Sequence, residues 1–230
     1  MRKITIAIDG FSSTGKSTIA KQLAKALGYI YVDTGAMYRA VTLFAMRNEF
    51  IGTESSNIGA LVKLLPKINL KFVYNETVGF AEMYLNNENV EKEIRTLEVS
   101  RNVSQIATIE EVRYKLVEMQ KKMGQEKGIV MDGRDIGTVV FPGAELKLFM
   151  TASAEKRATR RYKELLDKGD DVTFEEVLKN VEQRDYIDSH REFSPLKLAD
   201  DAIEFDNSDM GLEEQFERIL GYAQRVINKM

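Results

Sequence analysis

IAIDGFSSTGKSTIAKQL, residues 6–23, sets a glycine-rich turn between an apolar run and an amphipathic one. Gly10, Phe11, Ser12, Ser13, Thr14, Gly15, Lys16, Ser17 and Thr18 fit G-x-x-x-x-G-K-[ST] at every position. The glycines let the backbone turn inward, so successive N–H groups aim at one point. The helix opening near Lys16 directs its positive end to the same point. Lys16 adds a full charge toward the β- and γ-phosphates of a nucleoside triphosphate, and the Ser17 hydroxyl is suited to ligate Mg2+. The context agrees with the pattern. ITIAI at 4–8 reads as a buried strand before the turn, and Ile19, Ala20, Leu23, Ala24 and Leu27 form a helical stripe after it, stopped by Gly28. Residues 10–18 are therefore expected to bind a nucleoside triphosphate.

Strand and helix go on alternating beyond this turn. YIYVD (29–33) reads as a second strand and 36–48 as a helix; GIVMD (128–132), LKLFM (146–150) and AIEFD (202–206) read as further strands, and 212–228 as a closing helix. That order predicts an α/β fold with a central parallel sheet flanked by helices. Two segments interrupt it. Residues 62–95 alternate apolar and polar side chains in INLKFVYN, TVGFAEMYL and NVEKEI, the pattern of a small antiparallel sheet. Residues 153–192 are highly charged and helical, with a Gly169-Asp170-Asp171 turn in the middle. No repeat, low-complexity tract or Pro-rich linker divides the 230 residues, which are expected to form a single domain.

Composition excludes several classes of function. Hydrophobic residues make up 43% and charged residues 30%, enough for a packed core, and the net charge of -3 argues against a partner held through nucleic-acid phosphates. The absence of Cys removes disulfides, thiolate metal sites and Cys nucleophiles, and a single His, His190, removes a multi-His metal centre. The apolar run after Arg2 and Lys3 stops at Asp9, too short for a signal peptide, and no run is long enough for a membrane helix. A cytoplasmic protein without a membrane partner is expected.

The remaining question is what receives the phosphate. There is no N-K-x-D segment of the kind a guanine-reading switch needs. A second anion site is suggested by Asp33-Thr34-Gly35-Ala36-Met37-Tyr38-Arg39, at the carboxyl end of the second strand, where open α/β sheets bind ligands. Arg39 offers a planar fork for a phosphate. In Ile129-Val130-Met131-Asp132-Gly133-Arg134-Asp135 an apolar strand ends in Asp132, suited to act on Mg2+ directly or through water, with Arg134 just beyond. Thr173-Phe174-Glu175-Glu176 is a capping box that starts a helix. Its stripe runs from Phe174, Val177 and Val181 into Arg184, Asp188 and Arg191, which points charge inward. Such charge is costly unless paired or met by a ligand. With Arg157, Arg160 and Arg161 on the preceding helix, the segment reads as a lid over a phosphate chain, and Arg157 and Arg161 are candidates for ATP contact.

GFSSTGKST, DTGAMYRA, SRNVSQIA with VR at 112–113, MDGRDIGTVVFP, SAEKRATRRYKEL and R-x-x-x-D-x-x-R before SPL occur in order between about residues 3 and 208. In these motifs the chain resembles the bacterial cytidylate kinases, of the nucleoside monophosphate kinase group. The first motif is generic; TGAMYR together with DGRDIGTVVFP is specific. The resemblance implies a P-loop kinase fold, with 62–95 as an insertion in the monophosphate-binding region and 153–192 as the lid. It implies that the nucleoside triphosphate bound by residues 10–18 is ATP, and transfer of the γ-phosphoryl of Mg-ATP to CMP or dCMP, by a monomer. Thr34, Arg39, Arg134 and Arg191 would hold the acceptor phosphate or the group in flight, with Lys16, Arg134 and Arg191 as the catalytic cations. Ser104, Arg113 and Asp135 would read cytosine, and Arg184 and Asp188 would approach the sugar.

The chemistry suits that base. A carboxylate accepts from the exocyclic amine of cytosine, an arginine donates to N3 or O2, and uracil reverses the 4-position. Ser104 and Arg113 are nine residues apart, on opposite faces of one straight helix. Their convergence therefore requires a bend, for which the capping-box pattern Thr108-Ile109-Glu110-Glu111 provides a place. A kinase for UMP or AMP, and a nucleotide-binding module without turnover, are the alternatives.

Overall fold

The computed structural model describes residues 2–52 and 56–229, and every candidate residue above lies within them. In chain order the strands are β1 (Thr5–Gly10), β2 (Ile30–Asp33), β3 (Leu70–Asn75), β4 (Phe80–Leu85), β5 (Glu88–Asn89), β6 (Ile129–Asp132), β7 (Leu146–Thr151) and β8 (Ile203–Asp206). The helices are α1 (Lys16–Leu27), α2 (Thr34–Arg47), α3 (Ile58–Leu64), α4 (Leu97–Ile106), α5 (Glu110–Met123), α6 (Ala154–Asp167), α7 (Phe174–His190) and α8 (Leu212–Lys229). No helix among the described residues is long and apolar enough to cross a membrane. The contacts fall into two compact units, Met1–Val32 with Lys121–Met230, and Asp33–Gln120.

The first unit is built on a five-stranded sheet in the order β2-β6-β1-β7-β8. β1 lies at its centre and runs parallel to β6 and β7, with Ile8 opposite Asp132 and Gly10 opposite Met150. This register brings the phosphate loop and the end of β6 to one edge. β1 is buried at all six positions, as a strand covered on both faces must be. Ile6 and Ile8 pack with Ile19 and Leu23 of α1, Leu148 of β7, Phe205 of β8 and Ile219 of α8. The charged segment forms α6 and α7, packed on each other. Gly169 stands at φ 84 just beyond α6. Thr173 and Glu176 make the expected reciprocal capping box. The stripe turns inward as its spacing predicts: Val177, Val181, Asp188 and Arg191 are all buried.

In the second unit α2 packs on α4 and β4, beside an antiparallel sheet β3-β4-β5 with Leu70 opposite Leu85. Two local expectations need correction. NVEKEI is not a strand: the third strand is only Glu88–Asn89, and Glu93–Arg95 is a 3-10 turn. Alternation over so short a stretch fits either conformation, and here Arg95 and the buried Ile94 both find partners in the turn. The stretch before β3 is the helix Ile58–Leu64 and a 3-10 turn at Leu65–Lys67.

Gly10 is the point where sheet and phosphate loop constrain each other most closely. Its φ is +142°, and a Cβ there would overlap the carbonyl group of Met150 on the neighbouring strand. That carbonyl is part of backbone already paired in the sheet and has little room to withdraw. Gly10→Ala is expected to cost about 3 kcal/mol or more, read as a large fall in urea midpoint or no folded product. A near-native midpoint would show that β7 yields.

Candidate functional site

The loop from Gly10 to Gly15 is closed by its own side chains. Thr14 donates from Oγ1 to the carbonyl of Phe11 at 3.0 Å, and Gly15 caps α1 at φ 88, ψ 9 with no side-chain cap bond. No side chain caps the start of α1, the end of a helix at which its N–H groups and dipole favour an anion. Lys16 is buried, and its ammonium bonds the Phe11 carbonyl and Thr14 Oγ1. Burial and the charge of Arg134 hold its pKa well below the lysine range, and Asp132 and Asp9 offset this in part.

Ser17 donates from Oγ to Asp132 Oδ2 at 2.8 Å, and Tyr31 donates from its hydroxyl to Asp132 Oδ1 at 2.8 Å. One carboxylate is therefore oriented from both sides, by α1 and by β2. The donor set is hard oxygen, and it is small. Among the described residues no cluster of three or more His, Cys, Asp or Glu stands ready to cage a metal. A hydroxyl with a single carboxylate behind it suits Mg2+, which keeps waters and takes its other ligands from phosphate. Tyr31 was not singled out in the sequence; its only signal is a polar-tipped ring in a strand that ends at the binding edge.

A cluster of buried charge surrounds this pair. Arg134 donates from Nε to Asp188 Oδ2 at 2.8 Å. Burial works against its charge, but Asp188 more than offsets that and holds it above the usual arginine value. Asp188 in turn lies below the usual carboxylate range: burial raises it, and Arg134, Arg184 and Arg191 outweigh the rise. Arg184 is pushed down to about 10, first by burial and then by the charge of Arg134. Arg191 caps the end of α7, donates from Nε to the Ser194 carbonyl at 2.8 Å, and stands 3.8 Å from Asp135 and 3.9 Å from Asp188. Lys16, Arg134, Arg184 and Arg191 thus share one electrostatic environment with Asp132, Asp135 and Asp188. An anionic ligand would relieve it.

The lid arginines divide by what they already hold. Arg157 donates to the carbonyls of Ala152 and Ser12, pairs with Asp185 at 2.6 Å, and lies 5.2 Å from the centre of the Phe11 ring. It fastens α6 to both the phosphate loop and α7. Arg160 bonds Asn207, which itself donates to the Thr14 carbonyl at 2.7 Å. Arg161 pairs with Glu164 at 2.9 Å, and its buried Nη2, like Ser12 Oγ, has no hydrogen-bond partner among the described residues. Asn207 and Asp185 escaped the sequence reading because their partners are distant in the chain.

In the second unit Thr34 opens α2 and is buried, and Arg39, one turn on, donates from Nη1 to the Ile94 carbonyl at 3.3 Å. The bend expected between Ser104 and Arg113 exists: α4 ends at Ile106 and α5 starts at Glu110. The new helix starts close to Thr108, as expected, and Thr108 itself donates from Oγ1 to the Gln105 carbonyl at 2.7 Å. Ser104 and Arg113 are both buried. Arg113 donates to the Ala107 carbonyl at 3.3 Å, with its guanidinium 5.6 Å from the centre of the Tyr38 ring.

The family model described as Cytidylate kinase matches residues 6–225. A cytidylate kinase of Flavobacterium johnsoniae is 67% identical over 227 residues, covering 99% of each chain. One of Bacteroides fragilis is 55% identical over 227 residues, again 99% of each. Among solved structures, an uncharacterized protein from Eubacterium ventriosum superposes with a TM-score of 0.50, covering 97% of this chain and 99% of that one at 12% identity; that likeness concerns fold alone.

One further buried acid bears on stability. Asp9 accepts from the backbone N–H of Ile136 at 2.8 Å and of Gly137 at 2.7 Å. Burial pushes its pKa up from 3.8 to about 7; the two N–H groups pull it down, Asp135 raises it and Lys16 lowers it. The folded chain therefore holds this proton more tightly than the unfolded chain. Stability from Asp9 is full at acid pH and is lost as pH rises through the folded value. Asp9→Asn does not titrate, so between about pH 5 and about pH 8 its stability relative to the parent should rise by about 2–3 kcal/mol. Urea midpoints at the two pH values check this, and a relative fall would reverse the sign.

Proposed function

We propose, from the premise that this chain belongs to the cytidylate kinase family, that it transfers the γ-phosphoryl group of ATP to CMP or dCMP, giving CDP or dCDP in pyrimidine nucleotide metabolism. The observation that carries this reading is that one family model spans the chain from the phosphate loop through the lid, residues 6–225. The reading treats the chain as a single kinase domain with a monophosphate-binding insertion and a lid, acting as a monomer in the cytoplasm.

An oxygen of the acceptor's 5′-phosphate attacks the γ-phosphorus in line. The new P–O bond forms as the bridging bond to the β-phosphate breaks, and ADP leaves. No covalent intermediate or general base is required, since the attacking oxygen is already anionic. The protein's contribution is position and charge. The N–H groups of residues 10–18 and Lys16 hold the β- and γ-phosphates. Arg134 and Arg191 neutralise charge on the group in flight. Arg157 and Arg161 serve the ATP side, Arg157 by locking the lid helix to the loop. Ser17 and Asp132, directly or through water, would hold Mg2+, which would supply neutralisation of phosphate charge. Thr34 and Arg39 hold the acceptor phosphate, Arg184 and Asp188 its sugar. Asp135 accepts from the cytosine amine, and Arg113 and Ser104 complete the reading of the base. The buried positions of Arg113 and Asp135 support this, because a buried hydrogen-bonding group discriminates against the base that leaves it unmatched.

ADP release from Mg-ATP across CMP, dCMP, UMP, AMP and GMP tests the whole. Turnover with CMP and dCMP alone is expected; preference for another base would discard Ser104, Arg113 and Asp135 as readers. Lys16→Ala should keep its circular dichroism spectrum and lose at least about a hundred-fold in kcat/KM. Near-normal turnover in that folded variant would overturn the phosphate-site assignment.

A further inference from the structure

The insertion grips α2 along its length. At the amino end Asp33 accepts from the Ala36 N–H through Oδ1 at 3.0 Å, capping the helix, while its Oδ2 takes Arg95 Nη2 at 2.7 Å. Arg95 also donates to Glu91 from Nη2 at 2.8 Å and from Nε at 3.1 Å. Glu91 uses its other oxygen to accept from the Met83 N–H on β4 at 3.0 Å. A continuous chain of bonds thus runs from the small sheet, through Glu91 and Arg95, to the first turn of α2. One turn further, Arg39 rests on the carbonyl of Ile94, the residue before Arg95, and Ile94 is fully buried. At the carboxyl end Arg47 bridges Glu88 and Glu93, each at 2.7 Å, on the surface.

Position in the network separates these links. The Arg47 bridges are solvent-exposed and contribute little. Asp33 is 6% exposed, and Arg95 is its charged partner. Burial alone would raise the Asp33 pKa; the charge and hydrogen bond of Arg95 hold it below the usual carboxylate range. Asp33 immediately precedes Thr34, so the same carboxylate caps the helix at the residue before Thr34.

We propose that Arg95 is a positioning residue for the acceptor phosphate: through Asp33 and the Ile94 carbonyl it fixes the first turn of α2, and with it Thr34 and Arg39. The insertion is then a splint for the acceptor-binding helix. This rests on the reading that Thr34 and Arg39 hold that phosphate.

The test is steady-state kinetics on the full chain, varying CMP and ATP separately. Arg95→Met keeps the aliphatic stem and removes the fork. It should raise KM for CMP about ten-fold or more, with kcat and KM for ATP changed less than about two-fold. Arg95→Lys, which restores charge but not the two-armed geometry, should fall between Arg95→Met and the parent. If Arg95→Met fails to fold, Asp33→Asn/Arg95→Met removes the stranded carboxylate and keeps a capping side chain; the same rise in KM for CMP is expected. Arg39→Met is run in parallel. If Arg39→Met raises KM for CMP and the folded Arg95 variant does not, the splint is wrong and the phosphate reading stands. If neither does, both fall. Equal losses toward CMP and ATP would mark general destabilisation and overturn the proposal.

Discussion

The crowding of buried and half-buried cations is the constraint on the carboxyl edge of the main sheet. Lys16, Arg134, Arg184 and Arg191 are drawn into one region, and two of them are pushed well below their ordinary pKa values by burial and by a neighbouring arginine. Such a cluster is unstable unless carboxylates are interleaved, and these come from different elements: Asp132 from β6, Asp188 from α7, Asp135 from the turn after β6. The strand order and the inward stripe of α7 are what bring them within range. A polyanionic ligand would add to that compensation.

A second device recurs in both units. Buried carboxylates hold backbone N–H groups at the start of the segments that carry the candidate residues. Asp9 holds Ile136 and Gly137, directly after Arg134 and Asp135. Asp33 holds Ala36, directly after Thr34. Neither acid needs to touch a nucleotide. Each fixes a short turn whose side chains do the chemistry, and a bidentate or capping carboxylate is a rigid way to do so.

Local patterns made much of this legible. The loop at 10–18 declared itself because its motif, its strand and its helix stop agree. The stripe of α7 did so because apolar spacing continued into charge without changing phase. The misreadings lie where local pattern is ambiguous. NVEKEI alternates well enough for a strand but is too short to exclude a turn, and the start of the same segment, read as alternating, is helical at Ile58–Leu64. The residues missed altogether, Tyr31, Asn207 and Asp185, act through partners 101, 193 and 28 positions away. Pairings of that kind exist only once strands are ordered in the sheet or α6 and α7 have packed on each other, and no periodicity encodes them.

The bond from Asn207 to the Thr14 carbonyl spans 193 residues, and it bears on how the molecule is made. During synthesis the loop is made before Asn207, so one of its carbonyls and Arg160 wait for a partner that lies beyond β8. Asn207 is itself held by Gln215, at 2.8 Å, on α8. The turn between β1 and α1 is therefore completed only after the chain beyond β8 has been made. Closure of the loop is thereby linked, through Asn207 and Gln215, to the packing of α8.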